Sequence, residues 1–356
     1  MIVSKISLVN FRTYEAITYK PSPGINIIEG PNGCGKSNLA ESIHFLSLSK
    51  SWRTNDTNEL IKFGTSGSVI EARVEASGIS KLLGISLNPG NKKKVAINGK
   101  SIKRLSELSK CINVLLFSPE DVTIFKGSPG ARRNFLDVNI SKTSLDYMSL
   151  IGRHNKLLDE RNAVLKQNEI DRDYLDVITD RLIEVQEPLI RYRRLYAEGL
   201  NKILTRLASA LYGGNRELKI EYKPYIKDGP GFADRARKAY LKTLESDIRY
   251  KTTSTGIHRE DFSTKLDGMD IASFGSQGEN RLASIALKIS PYFAIEEEAE
   301  KPIVVLDDIY SELDKQHSDN LSELLKTMGQ VFITSTNLEI EGATKFIVPQ
   351  PNTRRI

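Results

Sequence analysis

The chain has 356 residues, 39% of them hydrophobic and 27% charged, enough for cores in about two domains and too apolar for wholesale disorder. Two cysteines, Cys34 and Cys111, and four histidines exclude a disulfide framework and argue against a structural zinc site. No apolar run approaches the ~18 residues of a membrane span and Met1-Ile2-Val3-Ser4-Lys5 lacks a signal peptide's apolar core, so a soluble protein of the reducing cytoplasm is expected, while a net charge of +6 permits a polyanionic partner without establishing one.

The first thirty residues read as β. Ile2, Ile6 and Leu8 share one alternating face, Ile17 and Tyr19 begin another, and Ile25-Asn26-Ile27-Ile28-Glu29 is a buried-type strand running into glycines. Leu39 to Leu48 is helical. Residues 69–87 alternate again, with turn clusters at Asn88-Pro89-Gly90-Asn91 and at the hairpin-type Asn98-Gly99. Asn113 to Phe117 is another buried-type strand.

The middle has a helical period. Leu145, Met148, Ile151, Leu158 and Leu165 form one series, and Leu175, Ile178, Leu182, Val185, Leu189, Tyr192, Tyr196, Leu200, Ile203, Leu207 and Leu211 form a second, close to a heptad. Pro188 inside the second series predicts a kink. An antiparallel helical hairpin over 143–212, packed as a subdomain, follows, ended by Gly213-Gly214-Asn215. The α/β pattern returns after residue 250: a helix from Ser276 to Ile289, a strand Pro302–Leu306, a helix Lys315–Met328 and a strand Gln330–Thr334. The fold class is α/β with mixed or parallel sheets. One split domain is expected over 1–140 and 251–356, interrupted by a helical insertion over 141–250.

Gly30-Pro31-Asn32-Gly33-Cys34-Gly35-Lys36-Ser37 fits G-x-x-x-x-G-K-S/T between a predicted strand and a predicted helix. Glycines let backbone N–H groups converge on phosphate oxygens, and the helix N-terminus adds its positive end. All eight residues are expected to hold ATP, with Lys36 on the β- and γ-phosphates and the Ser37 hydroxyl on Mg²⁺. Asp307 and Asp308 end the core strand Ile303–Leu306. A carboxylate there can hold Mg²⁺, the role expected of Asp307, and the next can polarise an attacking water, the role expected of Asp308.

Phe274-Gly275-Ser276-Gln277-Gly278-Glu279-Asn280-Arg281 opens a helix. Ser276 and Glu279 have capping-box spacing, which any helix can use. The same Ser-x-Gly-Glu resembles the signature motif of ABC-type ATPases, and Ser311-Glu312-Leu313-Asp314 resembles their D-loop. Together with Leu8-Val9-Asn10-Phe11-Arg12-Thr13-Tyr14, Phe117-Ser118-Pro119-Glu120-Asp121, Lys126-Gly127-Ser128-Pro129 and Arg132 to Asp137, the chain resembles the SMC-like branch of that superfamily, and within it the RecF family, over nearly its whole length. The resemblance implies a bacterial DNA replication and repair protein. It would bind DNA, hydrolyse ATP weakly, and form an ATP-dependent homodimer in which Ser276 and Gly278 of one copy cap the γ-phosphate held by the other. It would work with RecR and RecO in helping to load RecA at gaps. An ABC-type ATPase of another system and a non-hydrolysing ATP-dependent DNA clamp stand as alternatives.

Some stretches depart from the family pattern. Gly256-Ile257-His258-Arg259-Glu260-Asp261 carries Ile257 and Glu260 where the family has proline and aspartate. Thr334, Ser335 and Thr336 stand where transporter ATPases carry a switch histidine; a hydroxyl there can sense the γ-phosphate or merely end a strand. Glu120 or Asp121 stands in place of a Q-loop glutamine. Lys92, Lys93, Lys94, Lys100, Lys103 and Arg104 suit either a phosphate backbone or a solvated hairpin. Arg132 and Arg133 are free to face DNA, a partner or nucleotide. Residues 1–140 carry a net +8 and 201–250 a net +5, against −6 over 251–356, so any DNA is expected on the first two regions.

Overall fold

The computed structural model describes residues 1–91, 93–103, 106–297 and 301–349, and Lys92 and Arg104 of the expected basic cluster lie outside the described residues. In chain order the strands and helices are β1 (Ile2–Phe11), β2 (Tyr14–Tyr19), β3 (Gly24–Glu29), α1 (Lys36–Leu48), β4 (Ser68–Ala76), β5 (Ile79–Leu87), β6 (Lys94–Ile97), β7 (Lys100–Ser101), α2 (Ser106–Ser109) and β8 (Val114–Phe117). There follow α3 (Pro129–Thr143), α4 (Leu145–Leu165), α5 (Arg172–Tyr212), β9 (Leu218–Lys223), α6 (Phe232–Tyr250), β10 (Asp261–Leu266), β11 (Met269–Asp270), α7 (Ile271–Phe274) and α8 (Gln277–Ala294). The last are β12 (Ile303–Leu306), α9 (Lys315–Lys326), β13 (Gln330–Ser335) and β14 (Thr344–Ile347).

Two compact units form: residues 1–122 with 207–215 and 281–356, and residues 123–206 with 216–280. The second opens at 123 and closes at 280, against the 141 and 250 expected of the insertion. The packing accounts for the difference, since α3 lies against α4 and β10.

The first unit holds two sheets. A five-stranded sheet runs β14-β3-β13-β12-β8 with every neighbouring pair parallel. Its inner strands β12 and β13 are buried at every position, as a sheet covered on both faces requires. The antiparallel sheet runs β2-β1-β4-β5-β6-β7. In β4, Ser68, Ile70, Ala72 and Val74 point inward and the residues between them outward, the mark of a half-buried sheet. Asn98 and Gly99 both take left-handed φ, the mirror-image turn a two-residue hairpin needs between β6 and β7. Helix α1 packs against strands of both sheets, which explains why it is buried nearly all round and shows little amphipathic contrast. It begins at Lys36, three residues before its apolar pattern.

In the second unit α4 and α5 pack through Leu157, Val164, Leu165, Leu175, Ile178, Leu182 and Val185, with Leu244 and Ile248 of α6 beside them. The first four positions of the near-heptad seam, Leu175, Ile178, Leu182 and Val185, are thus covered within the unit. Helix α5 continues unbroken through Pro188. A short sheet runs β11-β10-β9.

Buried charge ties this unit together. Arg193, its side chain 2% exposed, pairs with Asp137 and Glu260 and donates to the Ile257 carbonyl. Glu260 also accepts Tyr222 and the Tyr225 amide. Burial pushes the Glu260 carboxyl above its ordinary value, against the pull of Arg193. Arg132 does not face outward: it holds Asp261 through Nε and Nη2, at 2.7 and 2.8 Å, and donates from Nη1 to the carbonyls of Ile124, Phe125 and Gly127. Arg133 donates to the Glu260 carbonyl. The 256–261 stretch is thus an interior strut between α3, α5 and β10, and Ile257 is fully buried in it.

Candidate nucleotide site

The parallel register brings the expected catalytic parts of the first unit to one edge. Strand β3 delivers the Gly30–Gly35 loop, β12 delivers Asp307 and Asp308, and β13 lies between them. Ligands of open parallel sheets bind at these C-terminal strand ends.

The loop is shaped by close approach. A Cβ on Gly30 would stand 2.6 Å from Cys34 Sγ, and one on Gly35 would stand 3.0 Å from both Thr13 Oγ1 and the Tyr14 hydroxyl. Gly35 also has φ +108°, outside the range of ordinary side chains. Cys34 is buried and fills space within the loop. Pro31, Asn32 and Gly33 are exposed and Ser37 is half-buried.

Lys36 is 8% exposed, and its Nζ donates to the carbonyls of Gly30 at 2.8 Å and Pro31 at 2.9 Å. Among the described residues no carboxylate pairs with it. A sequestered ammonium facing only carbonyl dipoles is a cation waiting for an anion, and with the glycine-shaped loop it fits a polyphosphate.

At the end of β12, Asp307 is 6% exposed and Asp308 is exposed. Thr334, at the end of the intervening strand, donates from Oγ1 to Asp307 Oδ1 at 2.7 Å and accepts the Asp308 N–H at 2.9 Å. One buried hydroxyl therefore orders both carboxylate residues, which is a different task from sensing a phosphate. Asp308 has φ +50°, and its carbonyl accepts Ser311 Oγ at 3.1 Å and Arg281 Nη2 at 3.4 Å. The left-handed backbone costs about 1–2 kcal/mol in a residue of this kind and is held from three sides.

A second polar cluster flanks α1. Glu41 is fully buried, accepts Arg12 Nε at 2.9 Å and Arg12 Nη2 at 2.7 Å, and also accepts Ser51 and Arg53. Arg53 Nη1 donates to Asn38 Oδ1 at 2.7 Å, and Asn38 donates to Thr13. Sequence reading missed Glu41 and Arg53; the one acidic residue of α1, in a helix that is buried nearly all round, is the signal that could have found the first of them. Asp121, one of the two carboxylates that stand near a Q-loop glutamine's place, pairs with Lys288 at 2.7 Å.

Ser276 and Gly278 belong to the second unit. The capping box is present: Glu279 N–H donates to Ser276 Oγ at 3.2 Å and Ser276 N–H to Glu279 Oε2 at 3.0 Å. Of the basic cluster, Lys94, Lys100 and Lys103 are exposed. Lys93 instead donates to the Ser49 carbonyl and lies over the Phe45 ring; burial, with Lys50 nearby, pulls its pKa down.

A parallel core sheet with a P-loop on one strand, paired carboxylates on another and a helical insertion between them defines an ATPase head of the SMC type. The chain matches the family described as RecF/RecN/SMC N terminal domain over residues 2–348. It shares the fold of the Smc head domain of Pyrococcus furiosus, at TM-score 0.59 and 15% identity over 98% of this chain and 94% of that one. Within that class the chain belongs to the RecF family. It is 34% identical to the DNA replication and repair protein RecF of Clostridium perfringens over 95% of this chain and 94% of the relative. It superposes with TM-score 0.86, at 30% identity over 97% of each chain, on the recombination mediator protein RecF with ATP, of the RecFOR pathway.

Proposed function

We propose that this protein binds ATP and DNA in recombinational repair and replication restart, and that weak, DNA-stimulated hydrolysis acts as its switch. The observation that carries this reading is the buried Lys36 ammonium beside the glycine loop, paired with no carboxylate among the described residues. The names of its relatives, a DNA replication and repair protein and an ATP-bound recombination mediator, supply the setting. On this reading the protein is cytoplasmic, and ATP is sandwiched between the loop of one copy and Ser276 and Gly278 of a second. The closed dimer sits on DNA, and RecR, with RecO and RecA downstream, uses it at gaps.

Each side chain has a stated task. The loop amides and Lys36 bind and orient the β- and γ-phosphates. Ser37 and Asp307 would hold Mg²⁺, which when bound neutralises charge between those phosphates. Asp308 accepts the proton of the attacking water. Thr334 keeps Asp307 and the Asp308 backbone in register. Exchanging Thr334→Val removes that hydroxyl at nearly constant shape. Turnover should fall about tenfold with the Mg²⁺ requirement raised, and Thr334→Ser should restore most of both. Hydrolysis followed through a Mg²⁺ titration reads this, and an unchanged Mg²⁺ dependence for the valine variant rejects the role.

The direct test of function is mobility shift on single-stranded, duplex and gapped DNA, with and without ATP at fixed salt, beside sedimentation of the protein. ATP should drive both dimerisation and DNA retention. DNA binding indifferent to ATP, with a monomer throughout, contradicts the proposal.

A further inference from the structure

Arg216 stands four residues past the end of α5, at the start of the return from the helical hairpin. Its Nε donates to Asp267 Oδ2 at 2.5 Å and its Nη2 to Glu279 Oε1 at 3.1 Å. Asp267 is itself anchored, with its Oδ1 accepting the Glu217 N–H at 2.8 Å in a turn where Asp267 has φ +51°. The other oxygen of Glu279, Oε2, takes the Ser276 N–H, closing the chain Arg216–Glu279–Ser276. The Ser276 amide and then Arg216 hold the Glu279 carboxyl below its ordinary range, so it carries a full negative charge.

That charge sits on the first turn of α8, three residues from Ser276. A carboxylate suits a helix N-terminus in isolation. It opposes a second anion arriving at the same turn, because like charges a few ångströms apart repel. Arg216, which Glu279 shares with Asp267, offsets part of the Glu279 charge from the far side while leaving Ser276 in place.

We propose that Arg216 is a positioning residue for ATP-dependent assembly: acting through Glu279, it orients the Ser276–Gly278 turn that receives the γ-phosphate held by a second copy and offsets part of the negative charge beside it. The inference rests on the sandwich reading of the proposed function and names the residue that makes the turn receptive.

The test is sedimentation of the full chain with ATP and Mg²⁺, beside nucleotide titration of the dilute monomer. For Arg216→Ala, monomer affinity for ATP should stay within about twofold while the ATP-dependent dimer weakens about tenfold. Adding Glu279→Gln to Arg216→Ala should recover about half of that loss on a logarithmic scale, because the exposed charge is gone, and Arg216→Lys should recover more. A merely structural role predicts the opposite order, with the double variant worse than the single. Should Arg216→Ala fail to fold, Arg216→Gln takes its place in the same series. Ser276→Arg serves as control. Normal dimerisation of Arg216→Ala alongside a blocked Ser276→Arg overturns this inference alone; normal dimerisation of both overturns the sandwich and the inference with it.

Discussion

Replacing Lys36 by alanine is expected to weaken ATP binding about a hundredfold or more and to abolish both ATP-dependent dimerisation and turnover. The physical ground is the site's charge. The ammonium is 8% exposed and, among the described residues, satisfied by the Gly30 and Pro31 carbonyls. Its desolvation is already paid for when nucleotide arrives, so the phosphate gains a nearly full electrostatic interaction. Without it, three or more phosphate charges meet only backbone amides. Alanine is a good helix residue and leaves α1 intact, so the melting temperature should change little relative to the loss of binding. Calorimetric titration with ATP reads the effect directly. Affinity within twofold of the parent protein would remove Lys36, and with it the loop, from the nucleotide site.

The second large effect is expected at Asp308. Asparagine keeps the size and tolerates the left-handed backbone, φ +50°, that Asp308 adopts. The bonds from Thr334 to its amide and from Ser311 and Arg281 to its carbonyl involve only main chain and survive the exchange. What is lost is the basic oxygen. Turnover should drop by about 10²–10⁴ while ATP affinity holds and the ATP dimer becomes longer-lived. Single-turnover hydrolysis beside sedimentation separates these outcomes. Wild-type turnover in Asp308→Asn falsifies the base assignment and favours a clamp in which nucleotide acts only as glue.

How much of this was legible in the chain depends on whether a part is local. The glycine loop is eight consecutive residues with a strand before and a helix after, so its pattern survives in one dimension. The Asp307-Asp308 pair ends an apolar run and is equally local. The hairpin announced itself by period, and the part of its seam from Leu175 to Val185 is covered by α4 and α6. The return segment after Asn215 was less readable: α6 and the β9–β11 sheet are short or strongly charged, and their apolar faces make sense only against α4, α5 and α3.

Parts that are assembled from distant segments left little trace. Thr334 looked like a strand end, and only the order β3-β13-β12 puts its hydroxyl between two carboxylate residues. Glu41, Arg12 and Arg53 come from a helix, a strand end and a loop, and their pairing needs all three in place. Arg132 shows the reverse error. Two adjacent arginines left DNA, a partner or nucleotide open as what they face, yet Asp261, 129 positions later, turns Arg132 into an interior strut.

The sequence by itself marked out the candidate parts of the site: a glycine-loop pattern, the carboxylate pair proposed as metal ligand and base, and a capped helix start, together with the family that combines them. Such motifs are short-range, because backbone N–H convergence, strand ends and helix caps are each built within a few residues. The tertiary structure decided which charges remain available. Burial leaves Lys36 a cation without a carboxylate partner among the described residues, puts Arg132 and Arg193 into internal pairs, folds Lys93 against Phe45, and gives Arg216 to Glu279 beside Ser276. Charge becomes function only once its neighbours are known, and those neighbours are supplied by packing.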